Sequence, residues 1–363
     1  MKHSVSLPHP EPGSPSPIGV DILLAPEGVK YADSTASEAT SHKRGLSVLF
    51  ILAAFLLVGV FAWRNLSTWP AVINYPDDES YEGIPLATMI HLRQGVPIYA
   101  SDATEHFDGA TYGPLYYLLG ERLISLEKPS YLPLRLLSMF AILGCAACCG
   151  LLAFWLTGRP LAGWLSSFVF VSYGMVTGHG LLALSDSVAL LLAFSGFLVA
   201  YRLRNSRAIL FATPLIVLSF YYKPQYVAGP LAVLLFLLLE KKYRRALEFG
   251  GLLATCGFGL LAVFQLFLFS GQAFWRYFLL YQSSLLEVHL IGRALFVFAV
   301  VLLFPLIFAL EYLRKYPNKL ISCYLLVATF LGFLTFCKGG GGPHYFFECV
   351  FLLCTLIHAY LVN

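Results

Sequence analysis

The chain has 363 residues, of which 58% are hydrophobic and only 12% charged, with a net charge of +4. Ordinary soluble domains carry roughly a quarter charged residues, and a single core of this length cannot hide so much apolar surface. These numbers exclude a soluble globular protein, and the scattered Lys and Arg give no sign of a nucleic-acid partner.

Residues 1–44, with "HPEPGSPSP" and "ADSTASEATSHKR", are rich in Pro, Ser, Thr and Ala and poor in large apolar side chains. Such a segment has too little to bury and is expected to be a disordered cytoplasmic tail. The apolar run that follows starts at Leu46 behind Lys43 and Arg44 and ends at Trp63-Arg64. That order reads as a retained signal anchor rather than a cleaved leader, and residues 45–363 are expected to form one transmembrane domain.

A helix needs about 17–25 apolar residues to cross a bilayer. Candidate spans fall at 46–63, 133–157, 161–178, 181–201, 207–222, 226–240, 247–269, 291–313, 320–337 and 345–362. The fold expected is therefore all-α and polytopic, with about ten transmembrane helices. Arg159, the group Arg202, Arg204 and Arg207, the run Lys241 to Arg245, and Arg314, Lys315 and Lys319 fall on alternate connections. The positive-inside rule then puts both termini in the cytoplasm and the long loop 64–132 outside. The eight cysteines lie in or beside apolar runs; Cys145 and Cys148 have C-x-x-C spacing but no second Cys or His pair to complete a zinc site, and all read as small buried hydrophobes.

The outer loop opens on "YPDDESYEG", three consecutive acids in a chain almost free of charge. Pro76-Asp77-Asp78-Glu79 is expected to start a helix that ends at Gly95, and Pro114 to start a second. Both are amphipathic, too short to span, and expected to lie along the outer membrane surface. For an isolated acidic cluster, plain helix capping is the commoner explanation.

Further ionisable groups gather at outer turns. Asp186 lies in "LSDSVALLL", where a carboxylate near an apolar segment is costly and marks either a helix cap or a working group. Lys223 in "YYKPQYVAGP" suits a snorkelling lysine or an anion ligand. "CKGGGGPHYFFE" brings Lys338, four glycines, His344 and Glu348 together, as a flexible turn or as an anion nest beside a cation. Groups collected at one face fit an enzyme at the outer leaflet better than a transporter, whose site lies near the midplane.

The succession "PDDESY", "GVPIYA", "YGPLYY", "LSDSVALLL", "KPQYVAGPL" and "GGGGPHYFFE" resembles the GT-C superfamily of membrane glycosyltransferases. The nearest type is the family 39-like enzymes, relatives of protein mannosyltransferases and of the lipid A aminoarabinose transferase. The resemblance implies a plasma-membrane protein that uses a polyprenyl-phosphate sugar donor, a hydroxyl-bearing acceptor and the surrounding membrane lipid. It implies catalytic carboxylates at Asp77 and Asp78, with the active site facing the periplasm or exterior. Many relatives have an Arg shortly before the second Asp; here Leu184 and Ser185 stand there.

The donor's phosphate is then expected to rest on Lys223, Lys338 and His344, with Arg135, Arg293 or a metal as substitutes. Glu79, Tyr81, Tyr112, Asp186, Gln225 and Glu348 are expected in support. No cofactor is required, but Asp77, Asp78 and Asp186 suit Mg²⁺ or Mn²⁺ if one is used. The alternatives are a lipid-linked sugar flippase or transporter and a non-catalytic subunit of an envelope assembly complex.

Overall fold

The structure is a computed structural model that describes residues 56, 59, 60, 62–75, 82–99, 110–279, 286–338 and 341–363. The tail at 1–44 and the start of the first expected span fall outside these residues. Residues 56–363 form one compact unit. Among the described residues the chain is helical, with one isolated bridge between Leu286 and Lys338 and no strand.

In chain order the helices are α1 Trp69–Asn74, α2 Gly83–Arg93, α3 Pro114–Leu123, α4 Leu132–Thr157, α5 Pro160–Ser172, α6 Gly174–His179 and α7 Asp186–Leu203. They continue as α8 Thr213–Tyr222, α9 Ala228–Leu239, α10 Tyr243–Val263, α11 Phe274–Leu279, α12 Val288–Val297, α13 Leu303–Lys315, α14 Lys319–Phe336 and α15 Phe347–Val362. Proline opens several of them at the first or second position, where its missing N–H costs nothing. Gly158 ends α4 in the left-handed conformation, with φ of 69°.

Six helical stretches are long and apolar enough to cross a membrane: Leu132–Thr157, Asp186–Leu203, Tyr243–Leu268, Val288–Lys315, Lys319–Phe336 and Pro343–Val362. Pro160–Ser172, Arg207–Tyr222 and Ala228–Leu239 are apolar but shorter. All nine fall on spans expected from the sequence. One expected span is broken: the helix over 161–178 stops at Ser172, and Tyr173 is extended with ψ of 123°. Asn65 donates to the Ser172 carbonyl at 2.7 Å and Ser172 Oγ to that of Phe168 at 2.6 Å, which satisfies carbonyls at the helix end. The chain restarts as α6.

Burial separates a centre from a rim. In Pro343–Val362, 72% of the apolar window is buried within the protein, against 6% in Tyr243–Leu268 and 17% in Val288–Lys315. The two rim stretches turn apolar side chains outward, as lipid-facing helices do. In the centre, small residues let helices approach: a Cβ on Gly150 would meet the Gly163 carbonyl at 2.7 Å, and one on Gly163 would meet the Gly150 carbonyl at 2.9 Å. Lipid supplies no hydrophobic drive for this contact, so close packing carries it. Among the described residues all eight cysteines are free.

The described parts of the loop 64–132 pack against the bundle. Helix α2 runs over Gly83–Arg93 and ends ahead of Gly95 at φ of 77°, while the start expected at Pro76 lies outside the described residues. It packs on α3 so closely that a Cβ on Gly120 would meet Met89 Cε at 2.2 Å. "GVPIYA" docks through Tyr99: its N–H donates to Gln272 Oε1 at 3.0 Å and its carbonyl accepts from Ala273 at 3.0 Å. The Tyr99 ring lies edge-on to Phe269 and Phe274.

A buried ion pair closes the loop onto the bundle. Glu82 and Arg135, in the first turn of α4, bind through two parallel contacts, with side chains 0% and 2% exposed. Arg135 also donates to the carbonyls of Ile73 and Tyr75, and Glu82 Oε1 accepts from the Ala183 N–H. Removing one member leaves an unpaired buried charge, which costs about 3–5 kcal/mol. Arg135→Met and Glu82→Gln are each expected to lower stability on that scale, and the double variant by clearly less than the sum. Thermal unfolding in detergent measures this; additive losses would show that the pair does not act as a unit.

Candidate functional site

The site forms where α7 begins and α8 ends. Asp186 is the first residue of α7, fully buried, with its carboxylate at the positive end of the helix dipole. It does not act as a side-chain cap. Its two oxygens accept from Lys223 Nζ, both at 2.7 Å, and Oδ1 also accepts from Tyr226 Oη at 2.6 Å. Gln225 Nε2 stands at 3.5 Å from the same oxygen, at the limit of a hydrogen bond. Burial, with the carboxylate beside it, holds the Tyr226 phenol well above its usual range, so it remains a donor.

Local sequence explains the reach of Lys223. Pro224 disfavours the helical conformation for the residue before it. Lys223 is accordingly extended, with φ of −154° and ψ of 113°, and ends α8. Its ammonium has three donors; two lie on Asp186. It also lies 5.2 Å from the Tyr112 ring centroid and 5.9 Å from that of Tyr345.

Tyr112 is brought there by Gly113. The Gly113 N–H donates to the Tyr222 carbonyl at 3.1 Å, and a Cβ at this position would meet the Tyr221 carbonyl oxygen at 2.1 Å. Only glycine permits that approach. Tyr112 then rests edge-on to Tyr116, 5.5 Å between centroids, and its N–H donates to Tyr117 Oη at 3.1 Å. Tyr116 Oη donates to the Ala183 carbonyl at 2.6 Å, so one peptide joins "YGPLYY" to the loop ahead of Asp186. Burial pushes the Tyr117 phenol up to about 12.

Two imidazoles complete the cluster. His344, in the short 3₁₀ turn Pro343–Phe346 ahead of α15, stacks on His179 at the end of α6, with centroids 3.9 Å apart and planes within 7°. One ligand atom from each of His179, His344 and Asp186 lies within 4.8 Å of the others. The acidic cluster therefore meets the histidine pair, with Lys223 beside both.

The other expected site residues divide clearly. Glu348 is buried, accepts from Tyr324 Oη at 2.9 Å, and receives the backbone N–H groups of Ala228 and Gly229 at the start of α9. It fixes the segment after Lys223 in place and is a structural support. Lys338 sits half-buried in the bridge to Leu286; among the described residues its ammonium has no hydrogen bond or ion pair to the Asp186 cluster. The Gly341 N–H is already given to the Lys338 carbonyl at 2.8 Å, so it does not serve an anion nest. Arg135 is committed to Glu82, and Arg293 is exposed on α12. Asp77, Asp78, Glu79 and Tyr81 lie outside the described residues.

Sequence reasoning passed over His179, Tyr226, Tyr345 and Glu82. Tyr226 and Tyr345 stand in stretches already singled out, and His179 in "TGHG" is a polar ring just ahead of an apolar segment. Among the described residues Asp186 brings carboxylate oxygens and His179 and His344 bring nitrogens, whereas Mg²⁺ prefers oxygen ligands; Asp77 and Asp78, the other ligands expected for Mg²⁺, lie outside the described residues.

Gly113→Ala is expected to force the loop off the end of α8, costing about 1–3 kcal/mol as an overpacked core does, and to move Tyr112 off Lys223. Unfolding measurements, with fluorescence of Tyr112→Trp in both backgrounds, check it; an unchanged Gly113→Ala protein would refute the close approach. Compared with protein-family models, curated proteins and solved structures, the chain matches none.

Proposed function

We propose that the protein is a membrane glycosyltransferase of the GT-C type, moving a sugar from polyprenyl phosphate to a hydroxyl acceptor at the outer face. The observation that carries this reading is the buried Asp186–Lys223–Tyr226 cluster, one loop away from the Glu82–Arg135 pair that flanks the acidic segment. Both clusters sit at helix ends: Asp186 opens α7, Lys223 closes α8, and Arg135 lies in the first turn of α4. An alternating-access transporter would instead string such groups along a central path.

In this reading the acceptor hydroxyl attacks the anomeric carbon, the carbon–oxygen bond to phosphate breaks, and polyprenyl phosphate leaves with that bond's electron pair. Asp77 or Asp78 takes the hydroxyl proton. The leaving phosphate is already a stable anion, so it needs positive charge rather than an acid. Lys223 supplies it through the donor not engaged with Asp186, and Asp186 with Tyr226 fixes where that ammonium points. His344 and Gln225 add neutral donors, and the Tyr112, Tyr116 and Tyr117 rings form an apolar wall for the first isoprene units.

Incubation of the purified protein with a panel of polyprenyl-phosphate sugars tests the reading. Transfer or slow hydrolysis of one donor is expected, abolished in the Asp77→Asn, Asp78→Asn double variant without loss of folding. Lys223→Gln leaves Asp186 buried without its cation, so about 3 kcal/mol of stability should go with activity. Adding Asp186→Asn should restore folding but not transfer. Activity in that double variant, or no reaction with any donor, would sink the proposal.

The orientation expected has both termini in the cytoplasm and about ten spans. A cysteine placed at Ser101 should react with an impermeant maleimide added outside, and one at Asn205 only after the membrane is opened. The opposite pattern would move the site to the cytoplasmic face.

A further inference from the structure

His179, Asp186 and His344 come from three separate segments: the end of α6, the start of α7 and the turn before α15. Their nearest ligand atoms gather within 4.8 Å, and the rings lie parallel at 3.9 Å. We propose that these three residues bind one divalent ion of the borderline class, with Zn²⁺ the type case.

The donor chemistry selects the ion. Two imidazoles and one carboxylate suit Zn²⁺ or Co²⁺, whereas Ca²⁺ and Mg²⁺ prefer oxygen alone. The carboxylate has room: Oδ1 accepts from Lys223, Tyr226 and Gln225, while Oδ2 accepts from Lys223 alone among the described residues. A carboxylate oxygen has a second lone pair to offer. Tyr226 and Lys223 orient that carboxylate, as partners behind a metal ligand do. Both imidazoles are partly exposed, and coordination requires the stacked rings to turn out of parallel so that one nitrogen of each faces the ion.

Three protein ligands leave a coordination position open. The ammonium of Lys223 shares the same carboxylate, and two cations on one carboxylate repel. An anion bridging ion and ammonium relieves that repulsion, so a phosphate oxygen is the ligand of choice for the open position. This last point rests on the transfer reaction proposed above; the ion site itself does not.

The test uses the full chain in detergent, stripped with a chelator and with no donor lipid present. Zn²⁺ is titrated against a chromophoric competitor, and Co²⁺ is followed by its visible absorption. One ion per chain is expected, with the intense visible band of a four- or five-coordinate Co²⁺ and no displacement by excess Mg²⁺. His179→Gln and His344→Gln should each weaken Zn²⁺ binding by at least the about 10–100-fold that loss of a supporting partner costs. Their metal-free unfolding should match the unsubstituted protein, since half-buried rings hold little of the core.

The tail carries three further histidines, His3, His9 and His42, so the double His179→Gln, His344→Gln variant serves as the blank. Equal Zn²⁺ binding by that blank and the unsubstituted protein overturns the site, as does displacement by Mg²⁺. Failure here leaves the transfer reaction standing, and failure of transfer leaves the ion site standing.

Discussion

Everything at the polar end of this protein hangs on one buried ion pair. Arg135 is fixed by the first turn of α4, and Glu82 grips it while also taking the Ala183 N–H. Desolvating two charges is costly, and the pair holds because the geometry is bidentate and the remaining donors are used on the Ile73 and Tyr75 carbonyls. The result is positional. Tyr75 and Glu82 flank the acidic segment on its two sides, and one guanidinium holds both.

The second network follows from the first through a single residue. Ala183 gives its N–H to Glu82 and its carbonyl to Tyr116, and three residues later the chain enters α7 at Asp186. Tyr116 in turn supports Tyr112, which faces Lys223. Thus the described parts of the loop 64–132, the start of α4, the start of α7 and the end of α8 form one hydrogen-bonded assembly. Such networks are stiff when every member is satisfied. Those parts of the loop must then be treated as part of the site rather than as a cover for it.

Much of this could be read from the sequence because lipid imposes simple rules. Apolar length gave the helices of the bundle, and the breakpoints at Pro114, Pro160 and Gly158 announce themselves chemically. Asp186, Lys223 and His344 stood out because polar groups at the ends of apolar runs are expensive, and Tyr112 and Gln225 entered as supports within the motifs that carry the resemblance. Their meeting could not be read, since nothing in "LSDS" says that its carboxylate faces "KPQY". Glu82 and Arg135 look like an ordinary acid and an ordinary helix-start arginine, and only the fold pairs them. The break at Tyr173 was hidden because Asn65, which takes the Ser172 carbonyl, lies far upstream. Lys338 drew attention for the same reason as Lys223, yet among the described residues no hydrogen bond or ion pair joins its ammonium to Asp186.

The proposed function turns on one contact above the rest, that of Lys223, oriented by Asp186, with a lipid phosphate at this end of the bundle. The most direct measurement is an experimental structure with a non-cleavable polyprenyl phosphonate sugar bound. The account predicts the phosphonate oxygens within hydrogen-bond distance of Lys223 Nζ, the sugar's anomeric carbon turned toward the segment between Tyr75 and Glu82, and Asp186 still on the ammonium. A ligand seated along the middle of the helices, with Lys223 and Asp186 paired and untouched, would contradict it.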